Sequence, residues 1–259
     1  KGHDLKQMIA WEPSPHMLRK IYWSPDHVRA WRKGAYMSLG GHNPELEFGD
    51  DHDLVCRTYL MFGAAGMRHI DKCLYLYRVR KESSCRAYNG KVQEQTNKNY
   101  FAYLPAMAER WAREHSLRMI DIGGQFGSPE GFESVDLRGA DIEADLEKRW
   151  PFDESSVGII RASHVLEHLH DPIHAMNEAY RVLAPGGFFF IDVPSTDGRG
   201  AFQDPTHVSY WNENSFYYYT HEEQAKYIRP QYQGRFQKSF LGTYKMPWHD
   251  DHVPVVRAD

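Results

Sequence analysis

The chain has 259 residues with a formal net charge of −4, and 41% of its residues are hydrophobic. This length favours two domains over one, and the apolar content is sufficient for packed cores. The sequence pI near 6.4 gives no basic footprint for nucleic acid, so we expect no nucleic-acid partner.

Hydropathy and cysteine content bear on whether the protein enters a membrane and on the compartment in which it is found. No run of eighteen apolar residues is present and no signal peptide opens the chain, so we expect no membrane insertion. Cys56, Cys73 and Cys85 are odd in number and lack the spacing of metal ligands. Reduced thiols and a cytoplasmic location are the simplest interpretation.

Residues 1–90 form the first predicted module. Residues 27–33 alternate like a strand and lead to a Gly-Gly turn at 40–41; an amphipathic helix opens within 48–57, and a second strand is predicted over 67–79. This order resembles the acceptor-side half of family-2 glycosyltransferases of the GT-A fold, which implies a small α/β segment. In that resemblance Asp51 matches the general base that deprotonates an acceptor hydroxyl.

The rest of such a glycosyltransferase is not found in this sequence. Its donor-binding half, with a metal-holding Asp-x-Asp, would precede residue 1, and Arg80 stands where many relatives carry a histidine. We therefore expect no sugar transfer by this chain alone. The acidic run at 49–53 is equally interpretable as a solvated helix start.

A polar stretch at 81–99 is typical of a linker. From residue 100 to 115 apolar residues recur at helical spacing, with Pro105 predicted to start or break the helix. We expect this helix to pack on the sheet that follows it. The predicted organisation is a partial glycosyltransferase-like module at 1–90, a linker and leading helix at 91–115, and a second domain at 116–259.

The second domain opens with an apolar run that ends in an acid and three glycines, Met119-Ile-Asp-Ile-Gly-Gly-Gln-Phe-Gly127. Further strands are predicted at 132–136, 156–160 and 188–194, and a helix that ends at Ala184-Pro-Gly-Gly187 precedes the last of them. Alternating strands and helices indicate a parallel sheet, which binds ligands beyond the carboxyl ends of its strands. Two strands within 235–245 and 253–258 are predicted to close the sheet as an antiparallel hairpin.

This ordered series resembles the class I S-adenosylmethionine-dependent methyltransferases over residues 116–259. The resemblance implies a Rossmann-like α/β sheet and S-adenosyl-L-methionine (SAM) as the cofactor. Asp121 would hold the amino-acid end of SAM, Asp136 the ribose hydroxyls, and Asp145 with Leu146 would border the adenine. The other cofactor-binding candidates are Gly123, Gly124, Gly127 and His164.

Two departures from that family pattern bear on cofactor affinity. Only residues 128–131 separate the glycine turn from the next strand, which leaves no room for the usual helix. The ligand would then lose amide donors and the positive end of a helix dipole. Gly158 also stands where the family often has an acid. Neither departure changes the predicted fold.

The segment His164-Val-Leu-Glu-His168 matches the H-x-x-E-H pattern of a zinc protease family. That motif needs a helix to place both imidazoles on one face, whereas here it spans a strand end and a turn. We therefore expect no metal site. The resemblance to methyltransferases implies instead that these residues line the floor beneath the sulfonium, where Glu167 or His168 would contact substrate; a purely structural role for either is an open alternative.

The segment 195–220 is the predicted acceptor pocket, because it follows the last parallel strand and is rich in aromatic and polar residues. A lid that merely packs on the sheet is the alternative. His207 is the candidate general base, since an imidazole titrates near neutral pH. The candidate acceptor-binding residues are Asp204, Tyr210, Trp211 and Asn214.

The sequence thus predicts a SAM-dependent methyltransferase that acts on an oxygen or nitrogen of a small-molecule or glycan acceptor, such as a sugar or nucleotide sugar. The sugar assignment rests only on the association with a glycosyltransferase-like module. Two alternatives are a non-catalytic methyltransferase-like scaffold in a glycan-assembly protein, and a fragment of a bifunctional glycosyltransferase-methyltransferase.

Overall fold

A computed structural model describes residues 12–19, 28–75, 87–125, 127–245 and 254–258 of the chain. The chain divides into two compact units, Lys1–Glu114 and His115–Asp259. Among the helices in these described ranges, none has both the length and the apolar character needed to span a membrane.

The described residues of the first unit form helices and no strand. Besides two 3-10 turns, Met17–Arg19 and Ala64–Gly66, the helices are α1 (Lys33–Ser38), α2 (Asp50–Phe62) and α3 (Asn89–Glu114). The helix predicted to open within 48–57 is confirmed as α2, which carries three acids in its first turn. The α/β character predicted for this segment is not seen in the part of it that the structure describes.

The strand predicted over 27–33 is wrong for its described residues, since 28–32 are irregular and α1 begins at Lys33. Side-chain contacts hold this segment, rather than the backbone hydrogen bonds to a neighbouring strand that a β-strand makes. Trp31 Nε1 donates to Thr58 Oγ1 at 2.9 Å, and Arg29 pairs with Asp51 on α2. Residues 67–75 are also irregular, and Ile70 and Leu74 lie exposed. Residues 76–80, including Arg80, and Cys85 lie outside the described residues.

Helix α3 begins at Asn89, so the predicted linker is wrong over 89–99. Pro105 lies inside this helix, although proline removes a backbone donor there. Most of the apolar stripe predicted between 100 and 115 is buried, with Leu104, Met107 and Ala108 at most 1% exposed, whereas Phe101 is half-buried. Within the first unit α3 packs against α2, and burial of this stripe offsets the hydrogen bond that the proline cannot make. Packing of α3 on the sheet stays a prediction.

The second unit is built on a sheet with the strand order β3-β2-β1-β4-β5-β7-β6. The strands are β1 (Arg118–Ile122), β2 (Glu133–Asp136), β3 (Ile142–Glu143), β4 (Val157–Ser163), β5 (Leu183–Pro194), β6 (Leu241–Lys245) and β7 (Pro254–Ala258). Strands β1 to β5 pair in parallel, whereas β7 runs antiparallel to both β5 and β6. The predicted parallel sheet and its closing antiparallel hairpin are confirmed.

The strand order reverses between β1 and β4, where a doubly wound sheet opens its ligand crevice. Ile120, Ile122 and Ile160 on these strands are at most 1% exposed and belong to the core. Such continuous apolar runs are typical of parallel strands covered on both faces. The sheet therefore provides a rigid support for the loops at its carboxyl edge.

The helices of the second unit are α4 (Pro172–Val182), α5 (Gly200–Gln203), α6 (Glu213–Thr220) and α7 (Glu222–Ala225). Helix α4 starts at Pro172, because the Asp171 carboxylate accepts a hydrogen bond from His174 N and proline is favoured at the first helical position. Between Gly127 and Glu133 the described backbone contains no helix. The short connection expected between the first two strands is therefore present.

Candidate active site

The carboxyl ends of β1, β2, β4 and β5 bring four loops to one edge of the sheet. These loops contain the glycine turn, Asp136, the segment 164–168 and the segment 195–214. The sequence-predicted site residues of the second unit lie in or near these loops, apart from Asp145 and Leu146 after β3.

Two glycines of the turn have no room for a side chain, and the third borders open space. Gly123 has φ of +75°, and a Cβ there would lie 2.8 Å from Val165 Cβ. At Gly124 a Cβ would lie 2.5 Å from Ser128 Oγ. Beside Gly127, with φ of +119°, a Cβ would meet no described atom within 4 Å. The turn therefore combines a tightly packed floor with an open side that a ligand could approach.

Two polar groups beside this turn have hydrogen-bonding capacity to spare. Ser128 Oγ is buried and has no hydrogen-bond partner among the described atoms. Asp136, at the end of β2, accepts a hydrogen bond from Leu137 N through Oδ1 at 2.6 Å. No partner of its Oδ2 is found in the described parts of the chain. Because buried polar groups are nearly always satisfied, the orphaned Ser128 hydroxyl indicates a ligand or water at the turn.

Asp121 is placed differently from its predicted role. Its carboxylate is on β1, 1% exposed, and both oxygens accept from Arg161 Nη1 on β4 at 2.8 Å. The residues are directly paired in the register of the two strands. The group presented at the surface is thus the Arg161 guanidinium, 37% exposed, which the sequence reasoning missed. The sequence signal for this role was a basic residue, Arg161, within the otherwise apolar strand β4, which neighbours the strand that carries Asp121.

Asp145 and Leu146 follow β3. Leu146 packs into the core at 7% exposure, and its carbonyl accepts from Trp150 Nε1. The pKa of the Asp145 carboxyl is lowered by a hydrogen bond from Lys148 and by the amide of Glu147. Local contacts thus account for both residues, and their place beside an adenine stays a prediction.

The segment after β4 is a tight turn, as predicted, with no α-helix. His164 has φ of +56° and its N donates to Asp192 O at 2.8 Å, while Leu166–His168 form one 3-10 turn. Glu167 is 2% exposed, and neither of its carboxylate oxygens has a hydrogen-bond partner among the described residues. His164 Nδ1 lies 3.4 Å from Glu167 Oε1.

The loop after β5 is fastened onto this turn. Val208 N and Ser209 N both donate to Glu167 O, at 2.9 and 3.0 Å. The ring of His207 lies edge-on to that of His168 with centroids 4.9 Å apart. The structure therefore brings together Glu167, His168 and His207, the three residues predicted to be catalytic, although about forty positions separate His207 from the others.

Among the predicted acceptor-binding residues, Trp211 does not fit an aromatic platform. Its ring is 3% exposed and packs on Phe216 and Tyr219, so it offers no face to an acceptor. Tyr210 is 53% exposed and stacks on Phe202 with centroids 5.2 Å apart. Sequence reasoning did not single out Phe202, which lies in the short helix α5.

The remaining two acceptor candidates, Asp204 and Asn214, lie on the surface. The pKa of the Asp204 carboxyl is lowered by hydrogen bonds from Thr206, and the Asp204 side chain is 45% exposed. Asn214 is exposed in the first turn of α6, where its backbone N–H donates to Oδ1 of the capping Asn212. Neither position conflicts with acceptor binding, which stays a prediction for both.

Asp51, the predicted base of the glycosyltransferase-like segment, belongs to the first unit. Its Oδ2 lies 2.8 Å from Arg29 Nη1, and its Oδ1 accepts from His52 N. Both carboxylate oxygens of Asp51 are therefore engaged by groups of the first unit. The base role stays a prediction.

A family model described as a methyltransferase domain matches residues 99–191, a little over a third of the chain. No curated protein matches this chain. The match covers the glycine turn, Asp136 and the turn after β4. It supports the SAM-dependent methyltransferase class expected from the sequence, with SAM as the cofactor.

Solved structures similar to this chain include a SAM-dependent methyltransferase from Archaeoglobus fulgidus, at 13% identity over 58% of this chain and 91% of that chain, with a TM-score of 0.38. Another is phosphoethanolamine N-methyltransferase 2 from Haemonchus contortus in complex with SAM, at 20% identity over 50% of this chain and 35% of that chain, with a TM-score of 0.34. Because these TM-scores are below 0.5, support for the methyltransferase class comes from the family match and the doubly wound strand order.

Proposed function

We propose that the second unit transfers a methyl group from SAM to a hydroxyl oxygen of a carbohydrate-like acceptor. The observation that carries this proposal is the open glycine turn, with the orphaned Ser128 hydroxyl and Asp136, at the point where the strand order reverses. In doubly wound sheets this crevice is where nucleotide-type ligands bind.

The described residues fit such a cofactor. Asp136 would accept hydrogen bonds from ribose hydroxyls through Oδ2, and Ser128 Oγ would bond a polar group of the ligand above the turn. Arg161, which is exposed beside Asp121, would bind the carboxylate of the amino-acid end. SAM, when bound, supplies an electrophilic methyl group on a sulfonium centre. The residues of this chain contribute mainly positioning, which lowers the barrier to displacement.

Support for a carbohydrate acceptor comes from the stacked pair Phe202 and Tyr210. These rings are 60% and 53% exposed and stack on one another, so they form one continuous aromatic patch rather than two scattered surface rings. Asp204 lies between them in sequence and has an exposed carboxylate. An exposed aromatic face beside a hydrogen-bond acceptor suits the apolar face and hydroxyls of a sugar ring.

A screen of sugars, nucleotide sugars and glycan fragments for S-adenosylhomocysteine production tests this function. With an acceptor identified, Tyr210→Ala should raise KM with little change in kcat, because a platform acts in ground and transition states alike. Tyr227→Ala is the matched control, since Tyr227 is 73% exposed elsewhere in the unit. Equal effects of both substitutions, or none, would remove the platform from the proposal.

A non-catalytic scaffold is the second candidate function. The closed pair of Asp121 and Arg161 favours it, since the carboxylate expected to hold the ligand is already neutralised. Calorimetry with SAM separates the candidates, because a scaffold that has lost its cofactor should give no heat of binding. A glycosyltransferase-like role for the first unit and a cytoplasmic location stay predictions.

A further inference from the structure

Glu167, His168 and His207 form a compact cluster of metal-binding groups at the carboxyl edge of the sheet. One carboxylate oxygen and one nitrogen from each imidazole all lie within 4.8 Å of one another. The sequence motif had paired His164 with His168, but the fold brings in His207 from the loop after β5. We propose that this cluster is a binding site for one divalent transition-metal ion, of the kind that zinc represents.

The buried carboxylate of Glu167 is the independent sign of a missing partner. The residue is 2% exposed, and both carboxylate oxygens lack a hydrogen-bond partner in the described residues. Leaving such a group unpaired is costly, and buried charges are normally paired or bind metals. His164 Nδ1, at 3.4 Å from Oε1, contributes charge only when protonated and makes no hydrogen bond to it.

The hydrogen bonds of both histidines engage Nδ1 and leave Nε2 available to a ligand. His207 Nδ1 lies 2.9 Å from Ala201 O, and a carbonyl oxygen only accepts, so Nδ1 carries the proton. His168 Nδ1 lies 3.2 Å from Thr206 O and 3.1 Å from Thr206 Oγ1. These contacts assign the Nε2 lone pair of each ring to a metal, with the backbone carbonyls as the outer partners that metal-bound histidines usually have.

Asp204 strengthens this arrangement through Thr206. The Thr206 hydroxyl donates to Asp204 Oδ1 at 2.7 Å, so its oxygen is left to accept from His168 Nδ1. The loop that supplies His207 is held beside Glu167 by the amides of Val208 and Ser209. The hydrogen bonds that orient the two rings engage Nδ1, and His207 Nε2 lies 3.9 Å from Asp204 Oδ2, which is too far for a hydrogen bond.

The donor set selects the class of metal. Two imidazole nitrogens and one carboxylate oxygen are typical of zinc sites with an open position and of non-haem iron sites, whereas calcium and magnesium prefer oxygen ligands. Metal-ligand distances of about 2.0–2.2 Å would require the side chains to close inward by roughly 1–2 Å from their present spacing. A coordinated Nε2 cannot also accept a proton, so this proposal replaces the general-base role of His207.

Zinc binding by the full, tag-free chain tests the proposal without SAM or acceptor, so its outcome is separate from that of the proposed function. After removal of metals with a chelator, titration with zinc chloride in a calorimeter should give one ion per chain. Glu167→Gln and His168→Gln should each weaken binding by about 10–100-fold or more, at least as much as loss of an outer partner costs. His170→Gln is the matched control, because His170 is exposed and pairs with Glu147 outside the cluster.

Each variant is checked by circular dichroism, and only variants with the wild-type spectrum are titrated. If Glu167→Gln fails this check, His168→Gln carries the test, because His168 is less buried than Glu167. Cobalt absorption in the visible range gives an independent measure of nitrogen and oxygen coordination. The proposal is overturned by a wild-type chain that takes up no zinc, by undiminished binding in a folded cluster variant, or by an equal loss in His170→Gln.

Discussion

Three buried or half-buried carboxylates at the sheet edge differ in how their charge is stabilised. Asp121 is neutralised by Arg161, Asp136 accepts a hydrogen bond from the amide of Leu137, and Glu167 has no hydrogen-bond partner among the described side chains and amides. Since burial without a partner is costly, Glu167 is the position where a bound group has the most to contribute, and Asp136 Oδ2, for which no partner is found among the described residues, is the second. Burial also distinguishes the two neighbouring aromatic residues, since Trp211 belongs to the core whereas Tyr210 lies on the surface.

Trp211→Ala should destabilise the second unit without a specific loss of acceptor binding. The ring is buried against Phe216 and Tyr219, and truncation of a buried Trp costs about 3–5 kcal/mol. Urea unfolding measures the change, with the exposed Tyr227→Ala as a control near zero. A loss below about 0.5 kcal/mol would contradict the burial seen here.

Acid stability should depend on Glu178. Burial acts to raise the pKa of this carboxyl, but hydrogen bonds from Arg181 and from Trp150 N together outweigh it, so the pKa lies below the ordinary 4.5. A folded-state pKa that is lowered contributes stability that is present above about pH 4.5 and is lost as the pH falls through the lower, folded value. Thermal unfolding of Glu178→Gln between pH 3 and 7, compared with wild type, checks this. The difference between the proteins should shrink on acidification, and a constant difference would refute the linkage.

The ends of secondary-structure elements position the loops of the site, so substitutions at these ends should have measurable effects on stability. The N-terminus of α4 is capped by Asp171, whose side chain accepts from His174 N at 2.9 Å. The glycine turn after β1 instead depends on backbone conformations that side chains disfavour. Both elements connect a local sequence signal to the position of a loop at the sheet edge.

Asp171→Ala should lower the free energy of unfolding by about 1 kcal/mol, the usual effect of losing an N-cap acceptor. Chemical denaturation of the variant measures it. Glu130→Ala, which removes an exposed acid from a loop, serves as the control and should stay within about 0.5 kcal/mol of wild type. The capping role is excluded if both variants unfold alike.

Gly123→Ala should be more disruptive than Gly139→Ala. Both glycines have φ near +70°, but a Cβ at Gly123 would lie 2.8 Å from Val165 Cβ, whereas its nearest neighbour at Gly139 would be 3.7 Å away. Both alanine variants therefore carry the conformational cost of a positive φ, about 1–2 kcal/mol. Only Gly123→Ala adds a steric clash. Denaturation midpoints compare the two variants, and equal destabilisation would show that the turn is not packed as described.

The sequence predicts the second unit better than the first for a physical reason. Apolar strands that end in acids or glycines carry their own local signal, so β1, β2 and β4 lie where the pattern placed them. Strand β5 ends at Pro194 as predicted, but it begins at Leu183, within the stretch that was assigned to the end of the preceding helix. In the first unit, alternation at 28–32 indicated a strand, but no strand neighbour is found among the described residues and side-chain bonds to α2 hold the segment. Pro105 likewise stays within α3 because tertiary packing overrides local preference.

The sequence named candidate site residues, but it did not indicate which of them contact one another. Asp136, Glu167 and His168 followed from the resemblance to methyltransferases and His207 from its place after the last parallel strand, whereas the pairing of Asp121 with Arg161 depends on strand register. The contact of His207 with His168 depends on how the loop after β5 docks. Long-range contacts of this kind leave no periodic trace in a single sequence.

At the scale of the whole molecule, the chain contains a largely helical unit, in its described part, and a doubly wound α/β unit. The methyltransferase-domain match begins at residue 99 and ends at 191, within β5, so it spans the strand order reversal and the loops after β1, β2 and β4. The short connection after Gly127 lacks a helix in its described residues, which removes one source of ligand affinity. Cofactor binding must then depend on individual side chains.

Calorimetry of SAM binding to the full chain tests this account most directly. The wild-type protein should bind one SAM or S-adenosylhomocysteine per chain, and Asp136→Ala should bind at least about tenfold more weakly, or about 1.4 kcal/mol, because ribose contacts are lost. Asp153→Ala, an exposed acid ahead of β4 at the opposite edge of the sheet, should bind as the wild type does. No binding by the wild-type chain, or undiminished binding by Asp136→Ala, would contradict the assignment of the cofactor to this edge.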